Sequence, residues 1–381
     1  MTASQQVWIR GVAMTPFAKK SDDSFAAMSQ KALVAAIDDA GLTLNDIDEL
    51  VCGTGYGGPL AGQRIAGPLG LTGPRITNVE NACSSGLAAL AIGMEAIQSG
   101  RAKTVAVVGV DRLSDMGRGA LPLAKDDIEV RQGVIMPAVY AMRAGRYLID
   151  TDATIDDLAM VAVKSRRYGS MNPYAQMRNP VTIEEVLESR PVASPLTLLM
   201  CCPRGDGAAV AIISSNPPAS ARPGVLLKGL SVQSGRFTDG YRDMTRSELS
   251  ERTAVAAYKD AGLTPDDIQV VETHDAFAIA ELMYYESLGF AEPGQGWRMI
   301  RDGSTEIDGR IAVNPSGGLM SRGHPVGATG VAQICEAYWQ ATGTADDRQV
   351  ANVTNVLTHC TGGGIAGFDH GASGVAIVGR A

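Results

Sequence analysis

The sequence predicts an α/β protein of two pseudo-symmetric layered halves with an inserted loop domain, and three self-similarities in chain order predict it. Residues 35–47, AAIDDAGLTLNDI, return as 256–268, AAYKDAGLTPDDI, with nine of thirteen positions identical at an offset of 221. Residues 85–100, SGLAALAIGMEAIQSG, return as 329–344, TGVAQICEAYWQATGT, at an offset of 244. The apolar triplet Val210-Ala211-Ile212 returns as Val375-Ala376-Ile377 at an offset of only 165, so the first copy carries about 79 extra residues, 244 less 165. Internal repetition of this kind marks a duplicated architecture.

The elements follow in order. In the first copy Met28, Ala32, Leu33, Ala36 and Ile37 recur at helical spacing, and in both copies a glycine stops the helix in the left-handed conformation. A short strand comes next, at 49–52 and again at 269–272. A second helix opens on a small residue and glycine at 85–86 and 329–330. Strands at 105–108 and 208–213 bracket the insertion, about 115–200, which is rich in Arg, Met and Pro, contains a helical piece at 155–168 and runs irregularly through GSMNPYAQMRNP. Inserts of that length are commonly lids or substrate loops. Alternating strands and helices imply a layered domain with a mostly parallel sheet in each half. The expected division is 1–114 plus 201–222 for the N-terminal half, 115–200 for the loop domain and 223–381 for the C-terminal half.

Composition narrows the function classes. The chain has 381 residues, 45% hydrophobic and 19% charged, and its 44 glycines are about 12% against a usual figure near 7%. Disorder, a collagen repeat and a small disulfide scaffold are excluded. A net charge of −8 offers no clustered Lys and Arg for phosphate, so no nucleic-acid partner is expected. No apolar run approaches the ~18 residues of a membrane span. MTASQQVWIRGVAMTPFAKK does not read as a secretory signal, and VAIVGRA lacks a peroxisomal S-K-L, which makes the cytoplasm the expected compartment. The six cysteines, Cys52, Cys83, Cys201, Cys202, Cys335 and Cys360, show no paired C-x-x-C spacing, so each is a buried residue or a reactive thiol.

Four loops at strand-to-helix junctions carry chemistry. In NVENACSSGLAALAIG, Cys83 stands just before a helix N-terminus, whose partial positive charge favours thiolate. In VVETHDAFAIAELMYYESLGF, His274 and Asp275 occupy the turn between strand and helix. In NPSGGLMSRGHPVGATG, His324 sits in a glycine-rich loop, and in VLTHCTGGGIAG, Cys360 ends a strand before three glycines. Two thiols and two imidazoles fit acyl transfer through a thioester: one thiolate attacks a carbonyl, an adjacent His takes its proton, and a second base works at carbon. Backbone N–H groups of the glycine-rich loops supply oxyanion donors, each worth roughly 3–4 kcal/mol. None of the four is spaced as a ligand pair on one helix, so no metal is expected, and no cofactor.

With Cys83-Ser84-Ser85 as C-x-S, His274-Asp275-Ala276-Phe277 as H-D-x-F, Gly323-His324-Pro325 as G-H-P and Cys360-Thr361-Gly362 as C-x-G, the chain resembles the thiolase superfamily over essentially its whole length. It is most similar to the sterol-carrier-protein type, and PLTLLMCCPRGDGAAV at 195–210 resembles those relatives too. The resemblance implies the thiolase fold, the two-half repeat being its basis. It also implies an acetyl-CoA acetyltransferase or 3-ketoacyl-CoA thiolase of lipid and fatty acid metabolism, cleaving 3-oxoacyl-CoA or running the reverse Claisen condensation, with coenzyme A as substrate. By the same resemblance Cys83 carries the acyl group and His324 activates it and contributes to an oxyanion hole. His274, standing where conventional thiolases have Asn, completes that hole; Cys360 is the acid/base at the α-carbon; the backbone N–H groups of Cys83 and Gly362 form the second hole. The loop domain covers coenzyme A, and the assembly is a homodimer or larger.

One departure bears on substrate. The sterol-carrier-protein type places its second cysteine in H-D-C-F, whereas this chain has Ala276 there and supplies Cys360 from C-x-G. His359 matches no role and reads as structural or pocket-lining; Cys52, Cys201, Cys202 and Cys335 read as core. Lys164, Arg166 and Arg167 are candidates for coenzyme A phosphate, set against the plainer reading of a solvated helix face. Two other readings stand beside the acyltransferase. One is a thiolase-like retro-aldol lyase acting on a steroid side-chain CoA thioester with an OB-fold partner, and retention of Cys83, His324 and Cys360 weighs against it. The other is a non-catalytic lipid-binding subunit.

Overall fold

The computed structural model describes residues 5–117, 119–218, 222–237, 242–364 and 370–381. The first half runs β1 (Trp8–Met14), α1 (Phe25–Asp39), β2 (Glu49–Gly53), α2 (Ala61–Ala66), β3 (Arg75–Val79), α3 (Ser85–Gln98) and β4 (Thr104–Arg112). The chain then leaves the sheet for α4 (Ile128–Arg131), α5 (Met136–Asp150), α6 (Ile155–Met171), α7 (Ile183–Glu188) and the small hairpin β5 (Pro191–Ala193) and β6 (Leu196–Thr197), returning as β7 (Asp206–Ser214). The second half is β8 (Val225–Ser234), α8 (Glu248–Ala261), β9 (Val270–Glu272), α9 (Ala278–Ser287), α10 (Gly296–Arg301), β10 (Ala312–Val313), α11 (Gly318–Arg322), α12 (Thr329–Thr342), β11 (Asn355–Gly362) and β12 (Ala372–Arg380).

Among the described residues ten strands are hydrogen-bonded in the order β10-β9-β11-β12-β8-β1-β7-β4-β2-β3. Read outward from the middle, β1-β7-β4-β2-β3 and β8-β12-β11-β9-β10 repeat one topology. The two fives meet only at Trp8↔Leu226 and Ile9↔Val225. The expectation of a mostly parallel sheet is corrected: β2 pairs in parallel with β3 and β4, and β9 with β10 and β11, but β7 and β12 run antiparallel to both neighbours. The physical reason is the connection. A connection too short to hold a crossover helix, such as the nine residues between β11 and β12, brings the chain back antiparallel. In the first half the same return, β4 to β7, carries the insertion.

Three apolar cores lie between these layers, and strand alternation assigns side chains to them. In β4, Ala106 and Val108 face α1 and α2, while Val105 and Val107 face α3 and α12. In β11, Leu357 faces α8, α9 and the insertion, while Val356 and Cys360 face the central helices. A helix buried on all sides is expected at the centre of a layered protein, and in α12 every residue but Trp339 is buried. Two of its polar side chains find partners inside: Glu336 pairs with Arg348 at 3.1 Å and Gln333 Nε2 donates to the His359 carbonyl at 3.0 Å. The two central helices meet at the equivalent glycines Gly86 and Gly330, where a Cβ on the first would lie 2.9 Å from the Gly327 carbonyl oxygen and the Val331 nitrogen. No helix among the described residues is long and apolar enough to cross a membrane.

Candidate functional site

The nucleophile loop lies between β3 and α3. Asn81 N donates to Ser85 Oγ at 2.8 Å, Ser85 Oγ donates to the Ala82 carbonyl at 2.6 Å, and Ala82 holds φ at +48°, a left-handed conformation costly for a residue with a Cβ. Cys83 comes next, partly exposed, one residue before the N-cap Ser84. The second half supplies its partners. His324 follows α11 through Gly323, its N–H donates to the Pro203 carbonyl at 3.1 Å, and its Nε2 lies 3.1 Å from Cys83 Sγ. His274 Nδ1 lies 3.1 Å from Cys360 Sγ, and Cys360 Sγ is 2.8 Å from the Cys83 carbonyl. The two imidazoles meet edge to face with centroids 5.1 Å apart. Residues 241 positions apart in the chain thus form one cluster of two Cys–His pairs.

A threonine decides the tautomer of His324. Thr329 Oγ1 donates its single proton to the Pro325 carbonyl at 2.9 Å, so at 2.7 Å from His324 Nδ1 it can only accept. The proton is therefore on Nδ1, and Nε2 turns a lone pair toward Cys83. Burial, with the Arg322 charge second, holds the imidazole down to about 3, which keeps it a neutral base. Burial likewise depresses His274 well below its ordinary range and raises Cys360 well above its own. The helix N-terminus favours the Cys83 thiolate, but burial pushes the thiol up to about 12, against the pull of the Gly363 N–H. The resting pair is a thiol beside a neutral imidazole.

Gly362 ends β11, and a Cβ there would lie 2.1 Å from the Asn81 carbonyl oxygen, so only glycine lets the Cys360 loop close on the Cys83 loop. Two amides are turned on the Cys83 sulfur, that of Gly363, next to Gly362, and Cys83's own. Asp111, at the end of β4, was silent in the sequence. It accepts from Thr54 Oγ1 at 2.8 Å, Gly55 N at 2.9 Å, Tyr56 N at 2.9 Å and Gly327 N at 2.6 Å, tying the first half to the loop behind His324. Asp275 caps α11 through the Leu319 N–H at 2.6 Å. Neither residue has a spacing signal; their partners are backbone amides brought together by the fold.

Other candidates separate from the cluster. His359 points away from Cys360 on β11 and is consumed by Thr273 Oγ1 at 3.0 Å and Ser250 Oγ at 2.9 Å, the structural reading. Lys164 is buried and paired with Glu281 at 2.5 Å, so it is unavailable to phosphate and is not on a solvated face; Arg167 pairs with Glu306, and Arg166 is buried. Cys52 and Cys335 are fully buried, whereas Cys201 and Cys202 are partly exposed beside the H-D-A-F loop, Cys202 N donating to the Ala276 carbonyl at 2.9 Å. Tyr140 of α5 stacks on Phe277 at 4.5 Å, so the insertion reaches the same loop. Cys83, His274 and His324 each offer a ligand atom, all within 4.8 Å of one another. They come from three loops, which is why spacing along one helix could not show them as a set.

Comparison with known proteins places this geometry in company. The family profile described as the thiolase N-terminal domain matches residues 7–215, and that described as thiolase C-terminal domain-like matches 232–371. The chain is 41% identical to an acetyl-CoA acetyltransferase of Methanothermobacter thermautotrophicus over 94% of its own length and 97% of that protein's. It is 38% identical to the BbsB subunit of benzoylsuccinyl-CoA thiolase from Thauera aromatica, over 96% of both. It is 33% identical to sterol carrier protein 2 of Oryctolagus cuniculus, covering 95% of this chain and 71% of that one. Among solved structures, an Ltp2-ChsH2(DUF35) aldolase superposes with a TM-score of 0.85 at 27% identity, over 100% of this chain and 99% of the other. An acetyl-CoA acetyltransferase from Syntrophomonas wolfei shares the fold with a TM-score of 0.72 at 20% identity, over 99% of both.

Proposed function

The chain belongs to the thiolase family, and on that premise we propose how its side chains divide the work of a coenzyme A-dependent acyltransferase. Cys83 is the acyl carrier. Its proton passes to the His324 Nε2 lone pair that Thr329 holds in place, and the sulfur attacks the 3-oxo carbonyl of a 3-oxoacyl-CoA. The carbon–carbon bond then breaks, the acyl group stays on Cys83, and the departing α-carbon takes a proton from the Cys360 thiol. Coenzyme A, deprotonated by Cys360, releases the acyl group; the reverse sequence is Claisen condensation. The amides of Cys83 and Gly362 steady the enolate oxygen. An oxyanion role for His274 requires its proton on Nε2, with Nδ1 left 3.1 Å from Cys360 Sγ, whose own proton points to the Cys83 carbonyl at 2.8 Å.

The observation that carries this reading is the pair of Cys–His contacts, each 3.1 Å, drawn from both halves onto one spot. The insertion at about 115–200 covers coenzyme A, supported by the Tyr140 stack against Phe277. The chain works as a homodimer or larger assembly, and a monomeric mass by light scattering contradicts this. Likeness to the DUF35-containing aldolase favours a second reading, a retro-aldol lyase with an OB-fold partner. Single-turnover kinetics of Cys360→Ala separate the two. On the thiolase reading this variant accepts an acyl group from a simple acyl-CoA but loses cleavage of 3-oxoacyl-CoA by about 10²–10⁴, the range for removal of a general acid or base. Cleavage at the parent rate places the acid/base elsewhere and favours the lyase.

A further inference from the structure

We propose that Cys83, His274 and His324 also form a binding site for one soft divalent cation of the zinc class, whose occupancy excludes acyl transfer. Their ligand atoms lie within 4.8 Å of one another, with Cys83 Sγ and His324 Nε2 at 3.1 Å. Zinc–sulfur and zinc–nitrogen bonds of about 2.3 and 2.0–2.1 Å in a tetrahedron set these three ligands roughly 3.3–3.6 Å apart. Side-chain shifts of under about 1 Å therefore close the set. A thiolate with two imidazoles is a donor combination that selects zinc or cobalt over magnesium or calcium, and three protein ligands leave the fourth position open.

The groups behind the ligands are of the kind a metal site needs. Ligating imidazoles use their second nitrogen as a donor to a fixed acceptor, which sets ring and tautomer. His324 does so at Nδ1, where Thr329 Oγ1 lies 2.7 Å away, leaving Nε2 unprotonated toward Cys83. His274 turns Nδ1 to Cys360 Sγ at 3.1 Å; a cation at Nε2 puts the ring proton on Nδ1, the opposite tautomer to that of the oxyanion role, and the sulfur becomes its acceptor. The imidazole at 274 is decisive, since an amide there leaves only one imidazole and one thiolate. Partial exposure of Cys83 provides entry. On binding, Cys83 releases its proton to solvent and forms the metal–sulfur bond, so the sulfur pair that attacks a carbonyl is occupied and the site is shut until a chelator removes the ion.

Cobalt(II) alone is the probe, titrated into the full-length protein with zinc as competitor. The expected result is one equivalent bound with a near-ultraviolet sulfur-to-cobalt charge-transfer band, displaced by zinc. That band disappears in Cys83→Ser and in folded parent protein alkylated at Cys83, as verified by peptide mapping. His274→Asn and His324→Asn each weaken cobalt binding by at least the roughly 10–100-fold that losing an outer-shell partner costs. Binding without the charge-transfer band, or affinity unchanged across the three variants and the alkylated parent, overturns the proposal. No acyl-CoA enters the measurement, so its failure leaves the acyltransferase reading intact, and failure of that reading leaves this one testable.

Discussion

At the residue scale, the side chain that sets the chemistry is one with no acid–base function of its own. Thr329 has its proton committed to Pro325, so it can only accept from His324 and thereby keeps a lone pair on Nε2. Thr329→Val is expected to release that tautomer and slow acylation of Cys83 by about 10², the lower end of the general-base range, with Thr329→Ser restoring it. The check is stopped-time acylation followed by intact mass; a Val variant that acylates at the parent rate contradicts the assignment. Cys83, His274, His324 and Cys360 were legible in the sequence because reactive residue types stood at strand-to-helix junctions. Thr329 was legible only as a helix start, since its role lies in a contact five residues back whose direction depends on a backbone carbonyl. Asp111 and Gly363 were not legible, because each acts between distant loops, Asp111 as acceptor for backbone amides and Gly363 through its own amide at the Cys83 sulfur.

Among the elements, α3 and α12 bring the two halves together, and the crossing at Gly86 and Gly330 sets how closely. Replacing a helical glycine by alanine ordinarily gains about 1 kcal/mol. At Gly86 the added Cβ meets backbone atoms at 2.9 Å that cannot rotate away, and overpacking of this kind costs about 1–3 kcal/mol. Gly86→Ala should therefore be net destabilised, whereas at Gly93 the neighbours at 3.1 Å are the side-chain tips of Ile213 and Val107, and Gly93→Ala should be near neutral. Urea unfolding of the two variants checks this; equal effects contradict it. The repeat made both helices visible from sequence, with offsets that held in the structure. Strand direction was not visible: an apolar strand buried on both faces reads alike whether its neighbour returns through a crossover or a turn, so the antiparallel β7 and β12 were missed.

Across the whole molecule, burial that keeps the site neutral also sets its response to alkali. All six thiols are raised by burial, Cys52, Cys83 and Cys201 to about 12 and the others in the same direction. In the unfolded chain each loses its proton near 9, so above that pH the folded state binds more protons than the unfolded one, and stability must fall as pH rises from about 9 toward 12. Urea midpoints should decline over that window, and Cys52→Ala together with Cys335→Ala should flatten the decline; a midpoint constant with pH contradicts it. The two-half architecture was readable because duplication leaves sequence offsets, whereas convergence of four loops from both halves on one spot is a property of the assembled layers. That convergence is the central claim, and the acyl-enzyme tests it most directly. The protein is incubated with a panel of acyl-CoAs, and its intact mass and peptide map are read. The account predicts one acyl group on Cys83 and none in Cys83→Ser. An acyl group mapped to another residue, or Cys83→Ser retaining full thiolysis, contradicts it.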